Sequence, residues 1–272
     1  MAESPKSGWQ VSGNAPVAWQ KYMIPACAEP FARNLVERVG LRRGQRVLDA
    51  GCGTGVVARM AVCEVRWHGK VTGLDLNSLM LDVARQASVF VHPEIEWVEG
   101  DMQKMPLPDA SFDAVLCQWV LQYVPDRAAA VREMHRVLAP GGRLALSVFR
   151  GIEVNPGWVA LQEALDVHVS QEAGDIFRSI FQMKDGEELR TLATGAGFHE
   201  VQVESHSEVC RYPGVAEFVR FELDSMPTPA LWSHFEKAEG AIVRDVSRAM
   251  AHWTDDHGVA FPATIWVLDA VE

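Results

Sequence analysis

Residues 46–55 read Arg46-Val-Leu-Asp49-Ala-Gly51-Cys-Gly53-Thr-Gly55, a short apolar run followed by three alternating glycines. The apolar run is typical of a strand that is covered on both faces, as in a parallel sheet. The glycines allow a sharp turn and the close approach of another group, because they carry no Cβ atom. A helix is predicted at residues 56–65, and the N–H groups and positive dipole end at its start favour an anionic group. The stretch therefore predicts a bound small molecule with a negatively charged end.

Two classes of ligand fit this turn. Gly53-Thr-Gly55-Val-Val-Ala58 matches the G-x-G-x-x-A pattern of dinucleotide sites. Read from Asp49, the same residues spell D-x-G-x-G-x-G, with an acid two residues before the first glycine. A tight turn without a ligand is disfavoured, since each glycine costs conformational entropy that a plain turn does not require. The glycines alone leave both ligand classes open.

The composition narrows the function classes. The chain has 272 residues and a net charge of −11, which suits a large α/β domain with additions and disfavours nucleic acid as a partner. Its five cysteines form no C-x-x-C pair, which argues against a disulfide framework or a zinc site and for a reducing compartment. The N-terminus lacks the apolar core of a signal peptide, and no apolar run has membrane-spanning length. We therefore expect a cytoplasmic protein without a membrane span, monomeric or homodimeric, that acts on a small molecule.

The segment before the first strand, residues 14–40, is predicted to form two helical pieces separated at Pro25. Trp19 is expected to pack in the core. Tyr22 carries a polar hydroxyl beside its ring, so it is a candidate to reach the cofactor, with core packing as the alternative.

Asp75 ends the second predicted strand, residues 71–75, and follows Gly55 by 20 residues. An acid at this spacing meets the ribose hydroxyls of an adenosine. A role as a mere helix cap is the weaker alternative, because Asn77 and Ser78 already supply capping side chains.

The third predicted strand, residues 95–101, leaves the sheet at Asp101 and Met102. A carboxylate there can accept from an exocyclic amine, and a methionine can cover a purine ring; an ordinary turn residue is the alternative for Asp101. The fourth strand ends at Gln118, on the edge where open α/β sheets hold their ligands.

Strands alternate with helices along most of the chain, which predicts a doubly wound α/β fold. The expected architecture is a mostly parallel, seven-stranded, Rossmann-like sheet with an antiparallel last strand and a helical cap. The predicted segments are an N-terminal helical cap at 1–40, a cofactor-binding core at 41–149, a cap insertion at 150–182, a core continuation at 183–212, a helical cap insertion at 213–258 and the last strand at 259–272.

These motifs together resemble the class I S-adenosylmethionine-dependent methyltransferases. The branch they are most similar to contains the ubiquinone/menaquinone-biosynthesis C-methyltransferases, also called methyltransferase type 11. The residues that carry the resemblance are Asp49-Ala-Gly-Cys-Gly-Thr-Gly55, Asp75, Gly100-Asp101-Met102, Phe112-Asp-Ala-Val and Leu138-Ala-Pro-Gly-Gly-Arg-Leu.

The resemblance implies a role for each site residue. Gly51 and Gly53 approach the methionyl part of S-adenosyl-L-methionine, and Asp49 lies near its amine. Asp75 and the neighbouring Leu76 border the ribose. The remaining implied contacts are Asp101 with the adenine amine, Met102 with the ring, Gln118 near the sulfonium and Tyr22 closing the site.

The predicted function is methyl transfer, by in-line displacement at the sulfonium, to a small apolar or aromatic acceptor. Two other classes stay open: a binding protein for S-adenosylmethionine or S-adenosylhomocysteine without catalysis, and a nucleotide-dependent oxidoreductase. No histidine is assigned as a general base, and no metal is expected.

The cap segments 14–30, 150–182 and 213–258 are predicted to roof the acceptor pocket over the carboxyl ends of the strands. They are additions to a complete sheet, and they are rich in large apolar groups. Those groups are Trp19, Tyr22, Trp158, Phe177, Phe181, Phe218, Phe221, Trp232 and Phe235.

Overall fold

The computed structural model describes residues 13–225 and 232–272. Leu231, one of the apolar residues of the second cap insertion, lies outside these ranges. Trp232 begins a helix, but its side chain, expected in the roof, also lies outside the description. No helix of the described residues is both long enough and apolar enough to cross a bilayer.

The strands form one mixed sheet in the order β3-β2-β1-β4-β5-β8-β6, with β7 paired to β8. Strands β1 to β5 are mutually parallel, and β8 runs antiparallel between β5 and β6. This confirms the predicted α/β class, with one addition: the two-residue β7 makes an eighth strand. The bounds are β1 Arg46–Ala50, β2 Lys70–Asp75, β3 Glu96–Glu99, β4 Phe112–Gln118, β5 Leu138–Phe149, β6 His199–Tyr212, β7 Thr254–Asp255 and β8 Gly258–Val271.

Helices cover both faces of the sheet. Alternate residues of each strand face opposite sides, so Val47 and Val267 belong to one apolar core and Leu48 and Leu268 to the other. Helices α2, α3, α6, α9 and α10 cover the first core, and α5 and α8 cover the second. The helix bounds are α1 Ala15–Ala18, α2 Glu29–Val39, α3 Val56–Val65, α4 Ser78–Ala87, α5 Arg127–Val137, α6 Pro156–His168, α7 Gln171–Arg178, α8 Gly186–Ala196, α9 Val215–Asp224 and α10 Trp232–Ala249.

The N-terminal segment is one continuous helical rod, so the predicted break at Pro25 is wrong. Residues Trp19–Ala28 form a π-helix that joins α1 to α2. At its end, the Glu29 N–H bonds to the carbonyl of Ile24, five residues earlier. The wider π turn accommodates a residue that has no N–H to donate.

A disulfide joins Cys27 of the π-helix to Cys210 of β6. The cysteine count argued against such bonds, and for this pair that expectation is wrong. The two residues are 183 positions apart in sequence. Only the packing of the π-helix beside β6 brings them together. The spacing of the cysteines along the sequence therefore does not predict this bond.

Candidate functional site

The described cavity lies at the carboxyl ends of β1, β2 and β4, where the glycine-rich turn begins. Its wall includes eight of the nine predicted site residues: Asp49, Gly51, Gly53, Asp75, Leu76, Asp101, Met102 and Gln118. These residues come from four separate parts of the chain. The sheet brings them together because the ends of parallel strands share one edge.

The three glycines of the turn serve different purposes. All three adopt positive φ, at +74° for Gly51, +53° for Gly53 and +83° for Gly55. A Cβ atom on Gly51 would lie 2.6 Å from Val120, and one on Gly55 would lie 2.4 Å from Trp97. A Cβ atom on Gly53 would meet no atom within 4 Å. Packing within the protein therefore excludes side chains at the outer two glycines, and Gly53 alone faces open space.

Asp75 organises the turn as well as lining the cavity. One carboxylate oxygen accepts a hydrogen bond from the N–H of Gly53 at 2.8 Å, and the other accepts from the N–H of Asn77 at 2.8 Å. Burial raises the pKa of this carboxyl above its usual value. The side chain of Asn77 caps α4 by accepting from the N–H of Leu79 at 3.0 Å, as its position in the sequence predicted.

Asp49 lies at the bottom of the cavity and is almost completely buried. Its carboxylate accepts a hydrogen bond from the N–H of Ala58 in α3 at 2.9 Å. Burial raises the pKa of Asp49 to about 7, and the nearby charge of Asp75 acts in the same direction. The cavity therefore holds a carboxyl group that gains or loses its proton near neutral pH.

Asp101 is held by Gln103, a residue that the sequence patterns did not single out. The N–H of Gln103 donates to Asp101 at 2.8 Å, and its side-chain amide donates to the same carboxylate at 3.0 and 3.1 Å. The side-chain oxygen of Gln103, Oε1, also accepts from the N–H of Asp126, the N-cap of α5. Asp101 is thus both a turn residue and a cavity-lining carboxylate, and the neighbouring Met102 lines the cavity as a buried side chain.

The end of β4 contributes an amide and an indole. Gln118 donates a hydrogen bond to the carbonyl of Ala28 in the π-helix at 3.0 Å. Its side-chain oxygen, Oε1, is buried and has no partner among the described residues. Trp119 follows with φ of +57°, a rare conformation for a bulky residue, and its ring lies between Phe31 and Phe149. Such backbone strain is concentrated at functional sites. The periodicity of the sequence does not predict it, because periodicity reports only which face of an element is apolar.

The N-terminal helix contributes a different aromatic from the expected one. Trp19, Ile24 and Ala28 line the cavity, whereas Tyr22 is absent from its wall among the described residues. The Tyr22 ring stacks on Phe221 of α9 with centroids 3.7 Å apart. Trp19 thus lines the cavity and also packs against the first core, as expected. Tyr22 packs against the same core, which is the alternative to its predicted place in the cavity.

Among the described residues, most of the aromatic side chains that were expected to roof the cavity pack elsewhere. Only Trp19 of the expected aromatics lines the described cavity, and Ser225 is the described contribution of the second insertion. Trp158 of α6 packs against Phe149 and Phe261 of the sheet and against Phe181. Strands β6 and β8 are 14 residues each, and the aromatic groups cover their apolar face.

The titratable groups of the described cavity are carboxylates, one thiol and one phenol. Tyr123, which the sequence patterns did not indicate, supplies the phenol, and no histidine lines the described wall. His168 instead pairs with Asp245 at 2.7 Å, and His206 pairs with Glu208 at 2.8 Å. Within the described ranges, no group of three or more His, Cys, Asp or Glu side chains is arranged to hold a metal.

Comparison with known proteins identifies relatives of this arrangement. The profile of a family described as a methyltransferase domain matches residues 48–146. The chain is 37% identical over 186 residues to the chloroplastic 2-phytyl-1,4-beta-naphthoquinone methyltransferase of Arabidopsis thaliana, covering 64% of this chain and 68% of the relative. It is 34% identical over 184 residues to the ubiquinone/menaquinone biosynthesis C-methyltransferase UbiE of Escherichia coli O1:K1 / APEC, covering 63% and 73%.

A solved structure shares the fold. The phosphoethanolamine N-methyltransferase 2 of Haemonchus contortus, in complex with S-adenosyl-L-methionine, superposes with a TM-score of 0.56 at 22% identity. The match covers 89% of this chain and 52% of that one.

Proposed function

Because this chain belongs to the class I S-adenosylmethionine-dependent methyltransferases, in the branch of the ubiquinone/menaquinone-biosynthesis enzymes, we propose that it methylates a ring carbon of a small, apolar, quinone-type acceptor. The observation that carries the proposal is the similarity to two enzymes named for naphthoquinone methylation and for C-methylation in quinone biosynthesis. The chain covers more than two thirds of each of them.

The chain is an S-adenosylmethionine-dependent methyltransferase, and S-adenosyl-L-methionine is its cofactor. The dinucleotide alternative for Gly53–Ala58 is therefore set aside, together with the oxidoreductase and the non-catalytic binding protein. When bound, the cofactor supplies a methyl group that is already activated by its attachment to a sulfonium.

The residues of the described cavity fit this cofactor chemically. Asp75 and Asp101 line the cavity with two carboxylates, the kind of acceptor that ribose hydroxyls and an adenine amine need. Beside Gly53 there is open space that a side chain at this position would fill. The side-chain oxygen of Gln118 is buried, lacks a partner among the described residues and can accept from the cofactor. We therefore assign Asp75 to the ribose, Asp101 and Met102 to the adenine, and Gly53 to the methionyl chain.

Asp49 is proposed to face the methionyl amine. Its pKa near 7 in the free protein reflects burial, and a cationic amine nearby would favour its charged form. Cofactor binding is thus expected to release a proton from Asp49 when the pH is at or below 7.

The acceptor is proposed to lie against the apolar part of the wall. That part is formed by Trp19, Ile24, Trp119, Val120, Tyr123, Val124 and Pro125. These side chains exclude water and hold the acceptor carbon in line with the methyl group, two effects worth several kcal/mol together. Tyr123 supplies the phenol that can contact a ring oxygen of the acceptor.

The test is turnover with S-adenosylmethionine labelled in its methyl group. Purified protein is incubated with isoprenoid-bearing naphthoquinols and benzoquinols that lack the ring methyl, and with phenol, catechol and amine acceptors as comparisons. We expect the label on ring carbon, in a product that survives acid and base. Label on oxygen or nitrogen, or preference for a charged acceptor, contradicts the proposal.

Two finer statements also stay proposals. The monomeric or homodimeric state is tested by light scattering during gel filtration. The cytoplasmic location rests on the cysteine count, and the Cys27–Cys210 disulfide speaks against it. Alkylation of the protein in intact cells, with and without a reductant, distinguishes a free pair of thiols from a disulfide in the native compartment.

A further inference from the structure

Three large apolar side chains are exposed at the edge of the sheet opposite the cavity. Phe90 is 94% exposed, Trp67 is 74% exposed and Val89 is 63% exposed. Trp67 follows α3 and Phe90 follows α4, and both segments lie where β2 and β3 begin. Isolated exposed apolar residues are ordinary, but a cluster of them marks an interaction site.

Hydrogen bonds and ring stacking hold this edge together. The N–H of Gly44 donates to the carbonyl of Val65 at 2.9 Å, which joins the loop before β1 to the end of α3. The rings of Trp67 and His92 are stacked with centroids 6.4 Å apart and planes 10° apart. The apolar groups are therefore presented by an ordered surface.

Basic side chains accompany the apolar ones. Arg42, Arg43, Arg66 and Lys70 are exposed on the same edge, and none of them forms an ion pair with any residue in the ranges 13–225 and 232–272. The acids nearby along the chain are Glu64, Glu94 and Glu96, so the four basic residues outnumber them by one. A local excess of positive charge thus stands in a chain whose net charge is −11.

We propose that this surface, the amino-end patch of Arg42, Arg43, Arg66, Trp67, Lys70, Val89 and Phe90, docks the protein on an anionic lipid bilayer. Trp and Phe enter the interfacial region of a membrane, and basic residues attract acidic headgroups. At physiological salt, charges are screened over about 8 Å. The attraction between the bilayer and the basic patch therefore outweighs repulsion from acidic groups elsewhere on the molecule.

Other occupants fit the patch less well. A second copy of the chain, related by a two-fold axis, would place the same arginines against each other. A nucleic acid needs a longer basic track, since its binding depends on neutralising many phosphates, and here Glu64 and Glu94 interrupt the basic residues.

Docking at this patch leaves the cavity open to water. The patch lies at the starts of the strands and the cavity at their ends, so the contact determines where the enzyme resides and not how an acceptor enters. The proposal therefore does not rest on the identity of the acceptor.

Vesicle sedimentation with the full chain tests it. We expect the protein to bind vesicles made of a mixture of phosphatidylglycerol and phosphatidylcholine. It should not bind vesicles of phosphatidylcholine alone. Each basic residue near an anionic surface strengthens binding about fivefold, so the double variant Arg42→Gln/Arg43→Gln should bind about thirtyfold more weakly. The double variant Trp67→Ser/Phe90→Ser should lose at least about tenfold.

The controls are substitutions of the same kinds elsewhere on the surface. Val167→Ser/Val209→Ser removes exposed apolar groups, and Arg132→Gln/Arg248→Gln removes exposed charges; both should bind like the unchanged protein. All four variants should bind S-adenosylhomocysteine normally, which verifies folding. Equal binding to neutral vesicles, equal losses in the controls, or a dimer that Trp67→Ser/Phe90→Ser dissociates would overturn the proposal.

Discussion

Glu222 gives the protein a calculable dependence of stability on pH. This residue of α9 is 4% exposed. Its carboxylate accepts a hydrogen bond from the Tyr212 hydroxyl at 3.0 Å and another from the Trp158 indole. Burial raises the pKa of Glu222 to about 7, and the two hydrogen bonds oppose that rise only in part.

The sign of the effect follows from the raised pKa. The folded state holds a proton that the unfolded state releases near the usual pKa of 4.5. The resulting stabilisation is fully present below pH 4.5 and is lost as the pH rises through about 7. Its size is about 3 kcal/mol, because each pKa unit between the two states is worth about 1.4 kcal/mol.

Substitution of Glu222 by Gln removes this dependence. Glutamine keeps the shape and a carbonyl acceptor but cannot ionise. The free energy of unfolding of the variant, relative to that of the unchanged protein, should therefore rise by about 3 kcal/mol between pH 4.5 and pH 8. For a chain of this size the same change corresponds to a relative increase in Tm of roughly 6–12 °C.

The assay is thermal and urea unfolding of both proteins at half-unit steps from pH 5 to 8.5. The control is Glu236→Gln, which changes an exposed carboxylate of α10 and should leave the two stability curves parallel. A constant difference between Glu222→Gln and the unchanged protein across this range would refute the reasoning, since it would mean that Glu222 is ionised in the folded state.

Three further predictions concern the cavity. Asp75→Ala should weaken S-adenosylhomocysteine binding by about 1.5–3 kcal/mol, because ribose hydroxyls lose a charged acceptor; unchanged affinity by calorimetry removes Asp75 from the site. Gly53→Val should abolish that binding, because the valine side chain fills the open space beside the turn and strains a backbone whose φ is +53°; a folded variant that binds normally would show that the turn holds no ligand. Trp19→Ala should weaken cofactor or acceptor binding, whereas Tyr22→Ala should lower Tm through lost packing on Phe221 with little effect on binding; the reverse outcome would restore Tyr22 to the cavity.

Local sequence patterns were enough for the sheet and for most of the cofactor side of the cavity. Asp49 and Asp75 stand at the ends of β1 and β2, and Gly53 stands in the turn that follows β1. A strand followed by a turn and a helix is encoded within a few residues. Once the strands are parallel neighbours, their ends meet at one edge. The positions of these residues along the chain therefore already place them together, and the structure finds all three in the cavity wall.

The tertiary structure alone decided the side chains that reach the site from elsewhere. The facing of Trp19 instead of Tyr22 depends on the rotation of the N-terminal rod, which its π turn determines. The long strands β6 and β8 have an apolar face that other elements must cover. The π-helix covers β6, which brings Cys27 to Cys210, and Trp158 of α6 packs on Phe261 of β8. Periodicity shows that a helix has an apolar face but not what that face covers, because the partner surface is built from residues far away in sequence.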